Sequence, residues 1–205
     1  MAGQRTGCRV LFRPDPPGSG VVFFIVCHMH MIGDESIFLV GPMGAGKSTV
    51  GRLLSSMLGR EFIDSDAEIV RRAGMDIPGI FAQRGEEGFR ELEAEILADL
   101  TSRRGLVLAT GGGAVKRPEN RQCLMNRGRS FYLLATPEVQ FARTRGDSQR
   151  PLLRNDDPLG TLRRLFAERD PLYREAAGDV VDTSGLSPRQ VAESIVGLLT
   201  VRKES

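Results

Sequence analysis

The apolar run Ile37-Phe38-Leu39-Val40 leads without a break into Gly41-Pro42-Met43-Gly44-Ala45-Gly46-Lys47-Ser48-Thr49, and a helix-forming stretch follows as far as Leu58. Gly41, Gly46, Lys47 and Ser48 stand at the spacing of a phosphate-binding loop. Glycines let the backbone curl until successive N–H groups converge on one anion. The helix that follows aims its positive end at the same point. In this reading Gly44, Ala45, Gly46, Lys47, Ser48 and Thr49 hold a nucleoside triphosphate, Lys47 reaches its β and γ phosphates, and the Ser48 hydroxyl serves Mg²⁺. An ordinary glycine turn is the plain alternative. Four fixed positions make a chance match about one in a hundred for a chain of this length. The spacing of Gly41, Gly44 and Gly46 excludes the dinucleotide pattern G-x-G-x-x-G.

Such a loop belongs at the carboxyl end of a parallel strand, and the rest of the chain has the matching rhythm. Strands are predicted at Ser36–Val40, Glu61–Ile63, Leu106–Ala109, Ser130–Leu134 and Val180–Val181. Helices are predicted at Lys47–Leu58, Asp66–Ala73, Asp76–Arg84, Glu86–Ser102, Pro118–Asn126, Pro137–Arg145 and Leu159–Ala176, with a last one opened by Ser187-Pro188. Short apolar strands alternating with helices argue for an α/β fold with a parallel sheet covered on both faces.

Of the 205 residues, 28 are Lys or Arg and 26 Asp or Glu, a net charge of +2. This balance argues against nucleic acid or a membrane surface as partner. Lys47, Lys116 and Lys203 are the only lysines. The arginine excess suits grips on carboxylates and phosphates, though coding-sequence composition alone could produce it. Cys8, Cys27 and Cys123 share no metal spacing and fit a reducing, cytoplasmic setting. Residues 1–34 have no regular period and read as a disordered N-terminal extension, with Met29 or Met31 as alternative starts. Their apolar run Val21–Val26 falls far short of the ~20 residues that span a bilayer. Residues 35–203 read as the catalytic domain.

What receives the phosphoryl group is open at this stage: water, a protein or a small molecule. After the second strand comes Asp64-Ser65-Asp66. Read as extended chain, it puts both carboxylates on one side. One could serve the metal shell and the other an acceptor hydroxyl, or Asp66 could merely cap the helix after it. Arg90 stands near the positive end of a long helix, a poor place for a cation that interacts with nothing else. It is either a solvated arginine or an anion ligand steadied by Glu93. Gly111, Gly112 and Gly113 end a buried strand and either press a ligand against bare backbone or form a flexible turn. The stretch 146–158, with Arg150, reads as a lid that closes over the transferring phosphoryl group. A solvent loop is its alternative. Arg169 is a candidate second anion clamp.

The ordered set GPMGAGKSTVGRLL, FIDSDAEI, GEEGFRELE, VLATGGG, RPLL and ERDPLY resembles the shikimate kinase family, over roughly Ile37 to Leu199. The resemblance implies a three-layer αβα P-loop NTPase fold, nucleoside-monophosphate-kinase-like, with a five-stranded parallel sheet and a lid. It implies transfer of the ATP γ-phosphoryl group to the 3-hydroxyl of shikimate, in aromatic amino-acid biosynthesis. It also implies Mg²⁺ at Ser48, with Asp64 acting through water, and Asp66 on the shikimate hydroxyls. Arg90 and Arg169 would hold the shikimate carboxylate, Gly112 would pack on the ring, Arg150 would meet the phosphates and Arg143 would lie along the adenine. With Lys47, Asp66 and Arg150 as catalytic residues, the expectation is a cytoplasmic monomer acting on shikimate and ATP. The N-terminal extension departs from the family core. A gluconate or nucleotide kinase, a silent sensor module and a nucleotide-hydrolysing switch are the competing readings.

Overall fold

The computed structural model describes residues 33–145 and 156–201. Nearly all of the predicted extension, Arg150, and the stretch 146–155 of the predicted lid lie outside them.

The elements follow in the order β1 (Ile37–Val40), α1 (Lys47–Leu58), β2 (Glu61–Asp64), α2 (Ser65–Ala73), α3 (Ile77–Ser102), β3 (Leu106–Ala109), a 3₁₀ turn (Ala114–Lys116), α4 (Pro118–Asn126), β4 (Arg129–Leu134), α5 (Pro137–Thr144), α6 (Pro158–Ala176), β5 (Asp179–Asp182) and α7 (Pro188–Val201). The five strands form one parallel sheet in the order β2-β3-β1-β4-β5. The central strand β1 is buried along its whole length, as an interior parallel strand must be. Its side chains alternate between faces. Phe38 and Val40 join Ile69, Ile96, Leu100, Leu124 and Tyr173 on one side. Ile37 and Leu39 join Val50, Leu54, Val191 and Ile195 on the other. Helices therefore cover both faces, which makes three layers. Each fully buried aliphatic side chain contributes about 1.5–3 kcal/mol, so truncating Leu54, with none of its surface exposed, should cost about 2–5 kcal/mol.

The helices predicted at 76–84 and 86–102 are both present, as two segments of α3 that meet in a kink at Gly85 (φ 69°, ψ −175°). Pro78 and Gly79, which blur the pattern, fall in the first turn, where a proline gives up no helical hydrogen bond. Asp76 caps that turn by accepting from the Gly79 N–H at 2.9 Å. One boundary that bears on the site differs from the sequence reading, at Asp64-Ser65-Asp66. Only Asp64 is extended, and Ser65 and Asp66 already belong to α2. Among the described residues no helix is long and apolar enough to cross a membrane.

Candidate active site

β1 ends in the glycine loop, and α1 begins at Lys47. Gly44 and Gly46 sit at φ 75° and 91°, a region that side chains other than glycine rarely enter. The loop therefore turns its backbone toward one point in front of α1. Lys47 folds along it, Nζ donating to the Gly41 and Pro42 carbonyls at 2.7 and 2.8 Å. Beyond the loop opens a cavity of about 550 Å³, whose wall includes Lys47, Ser48, Asp64, Asp66, Gly112 and Arg143.

The sequence reading of both aspartates on one extended face is corrected here, because α2 starts one residue earlier than expected. Asp64, not Asp66, caps the helix, its Oδ1 accepting from the Asp66 and Ala67 N–H groups. Its Oδ2 accepts from the Ser48 hydroxyl at 2.6 Å. Hydroxyl and carboxylate thus stand together at the mouth of the phosphate loop. Asp66, relieved of capping, faces the cavity from the first helical turn. Burial pushes its pKa upward, the neighbouring Asp64 adds to that, and Lys47 and Arg90 pull the other way.

The triple-glycine turn follows β3, and its three positions have different surroundings. A Cβ on Gly111 would collide with Asp66 Oδ1, and one on Gly113 would lie 2.5 Å from Arg90 Nη1. At Gly112 the same atom would meet only ordinary contacts, from Met43, Gly41 and Tyr173. So Gly112 forms cavity wall, while Gly111 and Gly113 make room for the aspartate and the arginine. Arg90 donates through Nη1 to Glu93 Oε2 at 2.7 Å. Only 2% of the Glu93 side chain is exposed. Burial raises the Glu93 pKa, and Arg90 opposes that rise. Arg90 Nε and Arg169 Nε are both buried without a hydrogen-bond partner. Arg169 comes from α6 and places Nη1 3.3 Å from the Gly112 carbonyl. Two guanidinium groups therefore flank one glycine turn, each with donor capacity left over, which is a setting for a carboxylate.

Arg143, on α5, donates to the Gly44 carbonyl and to the hydroxyl and carbonyl of Thr183. This links the glycine loop to the segment between β5 and α7, where Leu186, with Pro188 at the start of α7, also walls the cavity. Three polar residues escaped the sequence reading as contributors. Ser65 accepts from the Gly111 N–H at 2.9 Å, Thr110 donates to the Leu39 carbonyl at 3.1 Å, and Tyr173 donates to the Gly112 carbonyl at 2.6 Å. No local spacing marks them. The one available signal was their place beside strand ends and glycines already singled out.

Comparison with known proteins identifies the family. The family model described as shikimate kinase matches residues 43–200. A shikimate kinase of Halorhodospira halophila is 58% identical over 170 residues, covering 83% of this chain and 96% of that protein. One from Acinetobacter baylyi is 52% identical over 164 residues, covering 80% and 91%. Among solved structures, the shikimate kinase of Acinetobacter baumannii in complex with shikimate is 48% identical, with a TM-score of 0.82 over 87% of this chain and 99% of that one. With a family match from 43 to 200 and relatives more than half identical along four-fifths of its length, the chain belongs to the shikimate kinase family.

Proposed function

We propose that this enzyme transfers the γ-phosphoryl group of ATP to the 3-hydroxyl of shikimate, giving shikimate 3-phosphate and ADP on the route to aromatic amino acids. The observation that carries the reading is one cavity of about 550 Å³ lined both by the phosphate loop and by Asp66 and Gly112. The proposed donor and acceptor groups thus share one space. In-line transfer needs positioning and electrostatic stabilisation more than covalent help from the protein.

The phosphate loop and Lys47 hold the triphosphate, and Arg143 lies along the adenine. Asp66 orients the acceptor hydroxyl and takes up its proton, a task that suits a carboxylate whose pKa burial has raised. Arg90 and Arg169 take the shikimate carboxylate, and Gly112 lies against the ring with Gly111 and Gly113 beside it. Arg150 is assigned to the phosphates from its sequence context alone. The Ser48 hydroxyl and the Asp64 carboxylate suit Mg²⁺. Among the described residues no three His, Cys, Asp or Glu side chains gather as a metal cluster. An ion at Ser48 would therefore draw most of its ligands from phosphates and water, as Mg²⁺ prefers. Bound there, it would neutralise charge on the phosphates. The domain is placed at residues 35–203, with a lid at about 146–158 and residues 1–34 as an extension. The enzyme is further proposed to act as a monomer in the cytoplasm. Sedimentation at micromolar concentration checks the monomer.

A coupled ADP-release assay with ATP, Mg²⁺ and shikimate tests the reading, with gluconate and nucleoside monophosphates run in parallel. Turnover dependent on shikimate is expected. Release that ignores shikimate, or that responds only to another acceptor, would overturn it.

A further inference from the structure

Tyr173 has no part in the chemistry above, yet its hydroxyl makes one of the shortest contacts at the triple-glycine turn. It is 1% exposed and donates to the Gly112 carbonyl at 2.6 Å. The same carbonyl oxygen accepts from Arg169 Nη1 at a longer 3.3 Å, and Arg169 Nε has no hydrogen-bond partner. The Tyr173 ring is fixed from behind. It stacks on Tyr132 with centroids 5.0 Å apart. Tyr132 donates to Asp170 Oδ1 at 2.9 Å, and Arg174 holds the other oxygen of that carboxylate at 2.8 Å. Burial raises the Tyr173 pKa despite the neighbouring Arg169 and Arg90, so the phenol stays protonated and remains a donor.

We propose that Tyr173 is a positioning residue for the acceptor. Its hydroxyl pins the Gly112 peptide to the cavity wall and occupies the carbonyl that would otherwise draw in the Arg169 guanidinium. The carbonyl oxygen has two lone pairs, and Tyr173 takes one of them with a bond much shorter than that of Arg169. Without the phenol, the strongest donor left nearby is Arg169, which would close on Gly112 and spend on the backbone the hydrogen bonds meant for a substrate carboxylate. The plain alternative is that Tyr173 only fills the core. The two differ in what loss of the hydroxyl does, because core filling resides in the ring and positioning in the oxygen.

This inference rests on the shikimate kinase reading, and one experiment separates their failures. Tyr173→Phe and Tyr132→Phe are assayed with shikimate and ATP each varied. Each change deletes one buried phenol hydroxyl from the same stacked pair, but only Tyr173 touches the turn. Tyr173→Phe is expected to raise KM for shikimate roughly five- to tenfold, as loss of one well-placed hydrogen bond does, with KM for ATP within about twofold of the parent. Tyr132→Phe should leave both constants within about twofold. An unchanged KM for shikimate in Tyr173→Phe, or an equal rise in both constants, overturns the proposal. If the parent enzyme shows no shikimate-dependent ADP release, the kinase reading itself has failed. KM does not depend on the active fraction, so a poorly folding variant still reports.

Should Tyr173→Phe yield no protein, Tyr132→Phe supplies a second readout. The chain has two tyrosines and no tryptophan, so Tyr173 is then the sole fluorophore of its kind. Its emission should change saturably on addition of shikimate. A flat titration under conditions where turnover shows shikimate bound counts against the proposal.

Discussion

Consecutive residues from Met43 to Val50 line the cavity on the side proposed for the nucleotide. The acceptor side is assembled from α2, α3, the turn after β3, and α6, which bring Asp66, Arg90, Gly112 and Arg169 together. The first is a backbone site. Its shape comes from glycines at positive φ and from the start of α1, so it forms wherever the strand and helix form. The second is a side-chain site whose geometry depends on packing between distant segments. Arg90 is held by a buried Glu93, and Arg169 reaches Gly112 across 57 positions of sequence. Damage to the first side should therefore appear in turnover, and damage to the second in the affinity for one substrate.

Lys47→Ala gives the largest effect and the sharpest test of that division. It removes the one loop side chain that meets transition-state charge, and kcat should fall by about 10³-fold or more. Shikimate binding, measured by calorimetry without nucleotide, should stay close to the parent. A comparable loss of shikimate affinity would show that the two sides are not separable.

Arg90 breaks the comparison from the opposite direction. Arg90→Lys keeps the charge beside Glu93 and loses the planar fork, so KM for shikimate should rise about tenfold with KM for ATP unmoved. Arg90→Ala should do more, and it carries a second penalty. It leaves Glu93 buried without its partner, a change that typically destabilises by about 3–5 kcal/mol. Thermal melts of the two variants separate the contributions: the lysine variant should melt near the parent and the alanine variant well below it.

The same division explains how much was legible before the structure. The phosphate loop was readable because everything that makes it is local: glycine spacing, one lysine, one serine, a strand before and a helix after. The sheet was readable because β1, β3 and most of β4 are buried on both faces and so appear as apolar runs. On the acceptor side the charged residues stood out as arginines and aspartates in odd places, but what aims them did not. Ser65 meets Gly111 from 46 positions away and Tyr173 meets Gly112 from 61, and no short-range pattern encodes such a pairing. The start of α2 was misjudged for a related reason. Asp64 and Asp66 are equally good caps by residue type, and only the Ser48 contact and the strand end at Asp64 decide between them. The glycine turn was read either as room for a ligand or as a flexible turn; that two of its three positions make room for protein side chains was not legible.

Gly113→Ala tests that last point with a smaller effect. The added methyl has to displace the Arg90 guanidinium, which can swing, so the fold should survive. KM for shikimate should rise about three- to tenfold with kcat nearly intact, as expected when one substrate's binding group is misplaced. An unchanged KM would mean that the position of Arg90 is not what holds the substrate.

The smallest effect on stability belongs to Asp66, the one acceptor-side residue whose loss should also reach turnover, and it links stability to chemistry. Its folded-state pKa lies above the ordinary 3.8, first because of burial and then because of Asp64. If the ionised carboxylate handles the acceptor proton, kcat/KM for shikimate falls on acidification with a midpoint above 3.8. The same shift has a defined sign for stability. Between 3.8 and the raised value the folded state binds more proton than the unfolded chain, so stability declines as pH rises through that window and the deficit persists above it. Asp66→Asn removes the deficit. Its melting temperature at neutral pH should therefore exceed that of the parent by a few degrees at most, and the difference should vanish below pH 3.8, where the parent carboxyl is protonated in both states. Turnover should be largely lost in the same variant. Its stability gain at neutral pH would then mark a charge kept in the cleft for catalysis at the expense of the fold, a trade that the glycine loop, built from neutral backbone, does not have to make.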